Sequence, residues 1–597
     1  MPTYKMHERI VDLIQAEGVD TIFGIPDPSF FAAFITAEQR GMTVVSPHHE
    51  QAAALMADGL YRMTGKPGVL GINKGPGVAN IAAGVAYLAK ENVPAVFIMG
   101  QRQRIYEQRV RRGKMQYLSQ PPLFEGMMKY IGTVEYPEQV DEIFHEAFRK
   151  AQTGVPGPTM VELPLSVAQA QLDLPPVLAP HRYRLVGQQA GPDAVAEAAR
   201  LLTGASLPVI LVGQGAFASR AHASLAELAR KLNAPILATP AVEAVLEGLD
   251  GHSFPYGSAA ANEIVAKADV VLAIGTELGE QLHYGRGHHW KQGNTDRKWI
   301  YIERDPTAIG VNRPIDVPLV GDLTAVVPQL TKALGTAQRP VPAEMAGWAK
   351  LNADKKAELA ASVPATSSPI HTGRLAIEAT KVLPADAILV RDGGASSMWF
   401  NALLQYTPRD AMWSSNYGAI GTGLPYAVGA QLAVGTKQPV VLVTGDSSIL
   451  FHIAELETAV RKNLPLVVIV AVDHAWGIEA ASYRANFGVD TETPEAQWSN
   501  SVRLDKTAES LGAHGEYVER AEDIGPAVQR ALASGKAALV HVAVDKAANS
   551  TFVGLPGMLE FRTWYGEEGD NLGIIGGAPK AADGKEGDAP MGQGSGY

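Results

Sequence analysis

Three times along the chain a helix ends in Asn-x-Pro and gives way at once to an apolar strand: AKENVPAVFIMG around Asn92, ARKLNAPILATP around Asn233 and VRKNLPLVVIVAV around Asn463. A strand that is apolar throughout has to be covered on both faces, which is the condition of a parallel sheet with helices above and below it. The copies are widely spaced, so each marks a domain of this type rather than one turn of a solenoid. Two stretches separate them. One runs from Leu172-Asp173-Leu174-Pro175-Pro176 to about Gln188, the other is Pro/Ala/Ser-rich from about Gly335 to Pro369. The expected fold is α/β, with three doubly wound parallel-sheet domains at about 1–175, 189–335 and 370–548 and a C-terminal tail over 549–597. The Gly-rich end of that tail reads as disordered. Its first half carries Phe552, Leu555, Leu559, Phe561, Trp564 and Tyr565, which suits a lid over a site.

With 46% hydrophobic and 19% charged residues, the chain can build large cores. A net charge of −11 argues against nucleic acid as a partner. The absence of cysteine excludes disulfides, Cys₄ zinc sites and thiol nucleophiles. Charges interrupt the apolar start of the chain, which therefore does not read as a signal peptide. Met6, Ile10, Leu13 and Ile14 instead form one face of a helix that Gly18 would cap. No apolar run is long enough to cross a membrane. The expectation is a cytoplasmic protein with neither a membrane nor a nucleic-acid partner.

The strongest chemical motif lies in the third domain. The apolar run PVVLVTG ends at Gly445-Asp446-Ser447-Ser448, a helix follows, and LPLVVIVAV ends at Asp473-His474-Ala475-Trp476-Gly477. In a βαβ unit both aspartates stand at the carboxyl ends of neighbouring strands, where open α/β sheets bind ligands. Two carboxylates there suit a hard dication such as Mg²⁺, which fills its remaining positions with phosphate and water. Gly445 permits close backbone approach, and the hydroxyls of Ser447 and Ser448 beside a helix start suit phosphate oxygens.

This pattern resembles the thiamine-diphosphate-dependent enzymes, in which Gly-Asp-Gly or Gly-Asp-Ser is followed at a fixed spacing by Asn-Asn. The resemblance implies that Asp446, Asp473 and the Ala475 carbonyl hold the metal, with Trp476-Gly477 as the expected aromatic-Gly pair. Val472-Asp473 departs from Asn-Asn; the second position keeps an oxygen donor but adds a negative charge. In the first domain, VVSPHHEQAAALMADGL resembles the family's strand–Glu–helix element and puts Glu50 at the junction. The resemblance gives Glu50 the hydrogen bond to N1′ of the cofactor's aminopyrimidine. NKGPGVAN resembles the loop against that ring, through Pro76, Gly77 and Asn80. YGAIGTGLP resembles the Gly-x-hydrophobic-Gly-x-Gly-x-Pro segment, with Ile420 between the two cofactor rings, and Gly394, Ala395 and Ser396 are expected near the diphosphate. Since each site in this family joins domains of two subunits, a homodimer or homotetramer is implied.

The resemblance spans nearly the whole chain and fits the branch containing acetolactate synthase, benzaldehyde lyase, oxalyl-CoA decarboxylase and 2-hydroxyacyl-CoA lyase. Gly-Asp-Ser favours the last two; Gln116, placed like the active-site glutamine of lyases and synthases, favours a lyase. The expected activity is cleavage of a 2-hydroxyacyl-CoA to formyl-CoA and an aldehyde or ketone, with His48, His49, Gln116 and Glu492 as candidate catalytic groups. Glu495 and Tyr483 would join Glu492 in the substrate wall. Alternatives are an acetolactate-synthase-like or benzaldehyde-lyase-like carboligase or decarboxylase on 2-oxo acids or aldehydes, or a non-catalytic nucleotide-binding paralogue. Asp305 and Asp322 occupy positions that hold ADP or FAD in relatives, with coenzyme A expected on the substrate.

Overall fold

The computed structural model describes residues 2–240, 242, 244–285, 290, 297–336, 338–414, 416–480 and 495–549. Tyr483, Glu492 and the segment 550–597, with its expected lid, lie outside them.

The Asn-x-Pro repeat has a conformational cause. Asn92, Asn233 and Asn463 have φ of 58°, 44° and 54°, the left-handed conformation that closes a helix and that asparagine tolerates better than most residues. The proline two positions later has no N–H and cannot continue the helix. The strands Ala95–Gln101, Ile236–Ala238 and Val467–Val472 start directly afterwards, buried at every position.

Each of the three domains is built on a six-stranded sheet whose neighbours pair in parallel. The first has the order Thr43–Val45, Thr21–Phe23, Gly68–Ile72, Ala95–Gln101, Pro158–Pro164, Tyr130–Thr133. In the second it is Ser253–Pro255, Ile236–Ala238, Pro208–Val212, Val270–Ile274, Lys298–Glu303, Val317–Val320. The third runs Ala411–Met412, Ile388–Arg391, Val440–Gly445, Val467–Val472, Ala538–Ala543, His514–Val518. Successive strands are laid down to opposite sides of the Ile388–Arg391 and Val440–Gly445 pair, which run parallel, so a crevice opens beyond the carboxyl ends of those two strands. A short antiparallel ribbon, Thr3–Lys5 with Gln171–Asp173, ties the start of the chain to the end of the first domain.

The first and third domains share one continuous hydrophobic cluster, which joins Leu55, Met56 and Leu60 to Leu424, Ala427 and Val428. The Glu50–Thr64 and Gly423–Val434 helices cross there with almost no separation. A β-carbon on Gly429 would stand 2.0 Å from the Met56 carbonyl oxygen, and one on Gly59 would stand 2.4 Å from that of Tyr426. Glycine is required at both points because nothing larger fits between two backbones.

The second inter-domain stretch is not simply a linker. It contains the helix Met345–Ser362, whose Met345 and Trp348 are buried in the second domain's core. Trp348 Nε1 donates to Glu263 at 3.1 Å, and Lys356 reaches the Leu404 carbonyl of the third domain. Trp348 anchors the helix, although the composition of the stretch as a whole suggests irregular chain. Among the described residues, no helix is long and apolar enough to cross a membrane.

Candidate active site

The crevice of the third sheet holds a cavity of about 200 Å³, lined by Gly394, Ala395, Ser396, Ile420, Gly445, Asp446, Ser447, Asp473, Ala475, Trp476 and Gly477, among others. Most of the residues singled out from that domain's sequence are therefore neighbours in space. Parallel pairing of Val440–Gly445 with Val467–Val472 sets Gly445 against Ala471, so each strand delivers its aspartate to the same edge. Asp446 is 1% exposed. Its carboxylate accepts the His474 N–H at 2.8 Å and the Ser447 N–H at 3.0 Å, while Asp473 accepts the Ala475 N–H at 3.1 Å. Burial, then the negative charge of Asp473, pushes the Asp446 carboxyl well above the usual range. A dication between the two would remove that repulsion, so the donor set fits a metal. Ala475 forms an isolated bridge with Gln497, but the bonds of that bridge use the His474 carbonyl and the Trp476 N–H. The Ala475 carbonyl is not consumed by it.

Close packing explains the glycines here. Gly393 has φ 90°, and a β-carbon on it would meet the Ser448 hydroxyl at 2.9 Å. Gly394 lies against Ile478, where a β-carbon would stand 2.4 Å from Cδ1. Ser448 itself is fully buried beneath this turn and does not line the cavity. The phosphate role expected for it therefore does not fit its place; among the described residues Ser396, Ser414 and Ser447 are the serines at the cavity wall.

The first-domain residues form a second constellation. Glu50 is the first residue of its helix and is 7% exposed. Asn80 Nδ2 donates to Glu50 Oε2 at 3.0 Å, and a β-carbon on Gly77 would stand 3.0 Å from Glu50 Oε1. Pro76 opens the helix that carries Gly77 and Asn80. Gly75, at φ 67°, lets the Gln116 backbone approach: a β-carbon there would meet the Gln116 carbonyl oxygen at 2.5 Å. Glu50, Gly77, Asn80 and the Gln116 backbone are thus gathered at one sheet edge. His48 and His49 turn toward the third domain of the same chain. The His48 N–H donates to Glu455 at 2.9 Å, and its ring pairs with Glu457 at 2.7 Å. His49 Nδ1 caps the helix by accepting the Gln51 N–H at 3.2 Å, and its ring meets His452 edge-on. Among the described residues, none from the first domain lines the cavity around Asp446 and Asp473. Glu495 is exposed and also outside that lining.

Three family models match in chain order. The thiamine pyrophosphate enzyme N-terminal TPP binding domain covers residues 4–123, the central domain 195–330 and the C-terminal TPP binding domain 392–542. An acetolactate synthase of Arthrospira platensis is 30% identical over 499 residues, covering 78% of this chain and 81% of the relative. The chain belongs to the thiamine pyrophosphate enzyme family. Thiamine pyrophosphate is the same compound as thiamine diphosphate. The acetolactate synthase isozyme 2 large subunit of Escherichia coli (strain K12) is 28% identical, with 90% of this chain and 95% of the relative covered. Sulfoacetaldehyde acetyltransferase of Alcaligenes xylosoxydans xylosoxydans is 28% identical, with 91% and 94% covered. Named relatives of this kind support the carboligase alternative better than the 2-hydroxyacyl-CoA lyase reading. Membership among these enzymes replaces the non-catalytic paralogue.

In this thiamine-diphosphate-dependent enzyme a second cavity, of about 300 Å³, lies between the domains. Gly213, Gln214, Gly215, Gly275, Glu303 and Arg304 line it from the central domain, and Arg62, Glu91 and Asn416 from the other two. Asp305 and Asp322 are not in its wall. Asp305 caps a short turn by accepting the Thr307 N–H at 2.8 Å. Asp322 pairs with Arg304 at 2.7 Å and accepts the Gln188 N–H at 2.7 Å. The positions facing the cavity are their neighbours Glu303, Arg304 and Gly321.

Sequence reasoning missed Asp392. Its buried carboxylate accepts the N–H groups of Gly393 at 2.6 Å, Gly421 at 3.2 Å and Gly423 at 2.8 Å. Burial pushes it up to about 6 against those three bonds. The signal was an acidic residue between a strand end and Gly393-Gly394, the same arrangement that exposed Asp446.

Proposed function

We propose that the enzyme is a Mg²⁺-requiring carboligase of the acetolactate-synthase type, which decarboxylates a 2-oxo acid and joins the remaining fragment to a second carbonyl compound. The observation that carries this reading is the meeting of Asp446, Asp473 and Ile420 in one switch-point cavity, in a chain matched along about nine-tenths of its length to an acetolactate synthase. Asp446, Asp473 and the Ala475 carbonyl would hold the metal, and Ser396, Ser447 and nearby backbone N–H groups the diphosphate. Ile420 would hold the cofactor's two rings in their bent arrangement. When bound, thiamine diphosphate supplies a thiazolium that stores the electron pair released at the carbonyl carbon. Glu50, shielded from water and oriented by Asn80, would exchange a proton with the pyrimidine ring nitrogen. Because the described residues of the cavity wall come from 393–479, Glu50 is assigned to the site of a second copy, and the working unit to a homodimer or larger assembly.

The Gly445-Asp446-Ser447 motif favours a second reading, 2-hydroxyacyl-CoA cleavage with coenzyme A on the substrate. The inter-domain cavity is assigned to a nucleotide such as FAD or ADP. Purified protein with thiamine diphosphate and Mg²⁺, offered 2-oxo acids and 2-hydroxyacyl-CoAs, tests the choice. CO₂ release with an acyloin product is expected; formyl-CoA release without CO₂ would replace this reading by the second.

A further inference from the structure

The Ile420 segment enters the cavity between two anchored ends. At its exit, Asp392 accepts the Gly421 and Gly423 N–H groups, and His452 Nδ1 bonds the Gly421 carbonyl at 2.8 Å. At its entry stands Glu91, which follows the Pro76–Lys90 helix of the first domain. One oxygen of Glu91 accepts three bonds: Ser414 Oγ at 3.2 Å, the Asn416 N–H at 3.1 Å and the Tyr417 N–H at 3.0 Å. Its other oxygen faces Arg62 at 3.3 Å, and the Glu91 side chain is 0% exposed. Arg62 is itself held by Asp58 at 2.8 Å and bonds Tyr426 Oη at 3.2 Å. Gly418, Ala419 and Ile420 come next in the chain and line the cavity.

We propose that Glu91 is a positioning residue for Ile420. It fixes the start of the segment from the first domain while Asp392 fixes its end from the third. Three donors converging on one carboxylate oxygen define where the backbone runs, and charge-assisted bonds in a buried setting resist displacement. A shift of about 1 Å in a positioning group can cost about 100-fold in rate. The inference rests on the proposed cofactor role of Ile420.

Glu91→Ala and Glu91→Gln separate this role from simple joining of domains. The measurements are dissociation constants for thiamine diphosphate and for inorganic diphosphate, each with Mg²⁺, followed by fluorescence of Trp413 and Trp476 in the cavity wall. Glu91→Ala is expected to weaken thiamine diphosphate about tenfold and to leave inorganic diphosphate within about twofold, as loss of one to two kcal/mol at the ring end alone predicts. Glu91→Gln, which keeps one acceptor oxygen, should recover most of the loss. Unchanged thiamine diphosphate affinity overturns the inference, and so does equal weakening of both ligands with a lowered melting temperature. If Glu91→Ala does not fold, Glu91→Gln decides alone: selective weakening of about two- to threefold upholds the role, and equal affinities reject it. Wild-type protein that binds neither ligand overturns the cofactor reading itself.

Discussion

Asn80 donates its side-chain amide to the Glu50 carboxylate at 3.0 Å, although the two residues come from different helices. The bond fixes the direction of an acid that its own helix leaves free to rotate, and Gly77 leaves room beside it. Replacing Glu50 by Gln is expected to lower kcat at least about 100-fold, the scale of losing a proton-transfer group, with circular dichroism unchanged. Asn80→Ala should cost about tenfold, since it removes one bond to a charged group. Full activity in Glu50→Gln would remove Glu50 from the chemistry.

The two aspartates make metal dependence testable. Chelation should abolish turnover, and Mg²⁺ should restore it. Asp446→Ala should remove the Mg²⁺-dependent part of thiamine diphosphate binding. Asp473→Asn keeps an oxygen but relieves repulsion toward Asp446 and toward phosphate. It should tighten diphosphate binding at saturating Mg²⁺ while raising the Mg²⁺ concentration required, each by a few-fold, as a titration of binding against metal would register.

The helix crossing at Gly59 and Gly429 should tolerate no side chain. Gly429→Ala puts a methyl group 2.0 Å from a backbone oxygen, which forces the helices apart. A loss of about 1–3 kcal/mol is expected from overpacking of this kind, read as a lowered midpoint in urea unfolding. A variant of unchanged midpoint would mean that the crossing is looser than described.

His541 sets an acid limit on stability. It sits on the Ala538–Ala543 strand, 1% exposed, and Nδ1 accepts the Leu504 N–H at 3.2 Å. Burial first, and Arg503 in the same direction, push the imidazole down to about 4, with Asp505 opposing. A lowered folded-state value means that the neutral ring stabilises the fold. That stability is complete above about 6.5 and is lost as pH falls through about 4, for a total of about 3 kcal/mol. Unfolding free energy measured between pH 7 and pH 4 should fall accordingly, and His541→Leu should flatten the curve.

Much of this was legible because it was local. Apolar strands, left-handed asparagines and the Gly-Asp motif are written within a few consecutive residues, so the three sheets and the Asp446–Asp473 edge followed from short windows. Asp392 was hidden because its partners Gly421 and Gly423 are supplied by a distant loop. Glu91 was hidden for the same reason; by itself it is an ordinary acidic residue at a helix end. Asp305 and Asp322 illustrate the converse error: correct strand ends, but a one-residue difference decides which side chain faces a cavity. The Met345–Ser362 helix escaped notice because its apolar contacts are few and concentrated on Met345 and Trp348.

The backbone contact at Met56–Gly429 also limits how substrate can arrive. Two helices pressed together with no side chain between them form neither a hinge nor a sliding surface, so the outer domains of one chain move as a single block. Admission and release then fall to loops. Engineering for bulkier substrates should begin there and leave the crossing untouched.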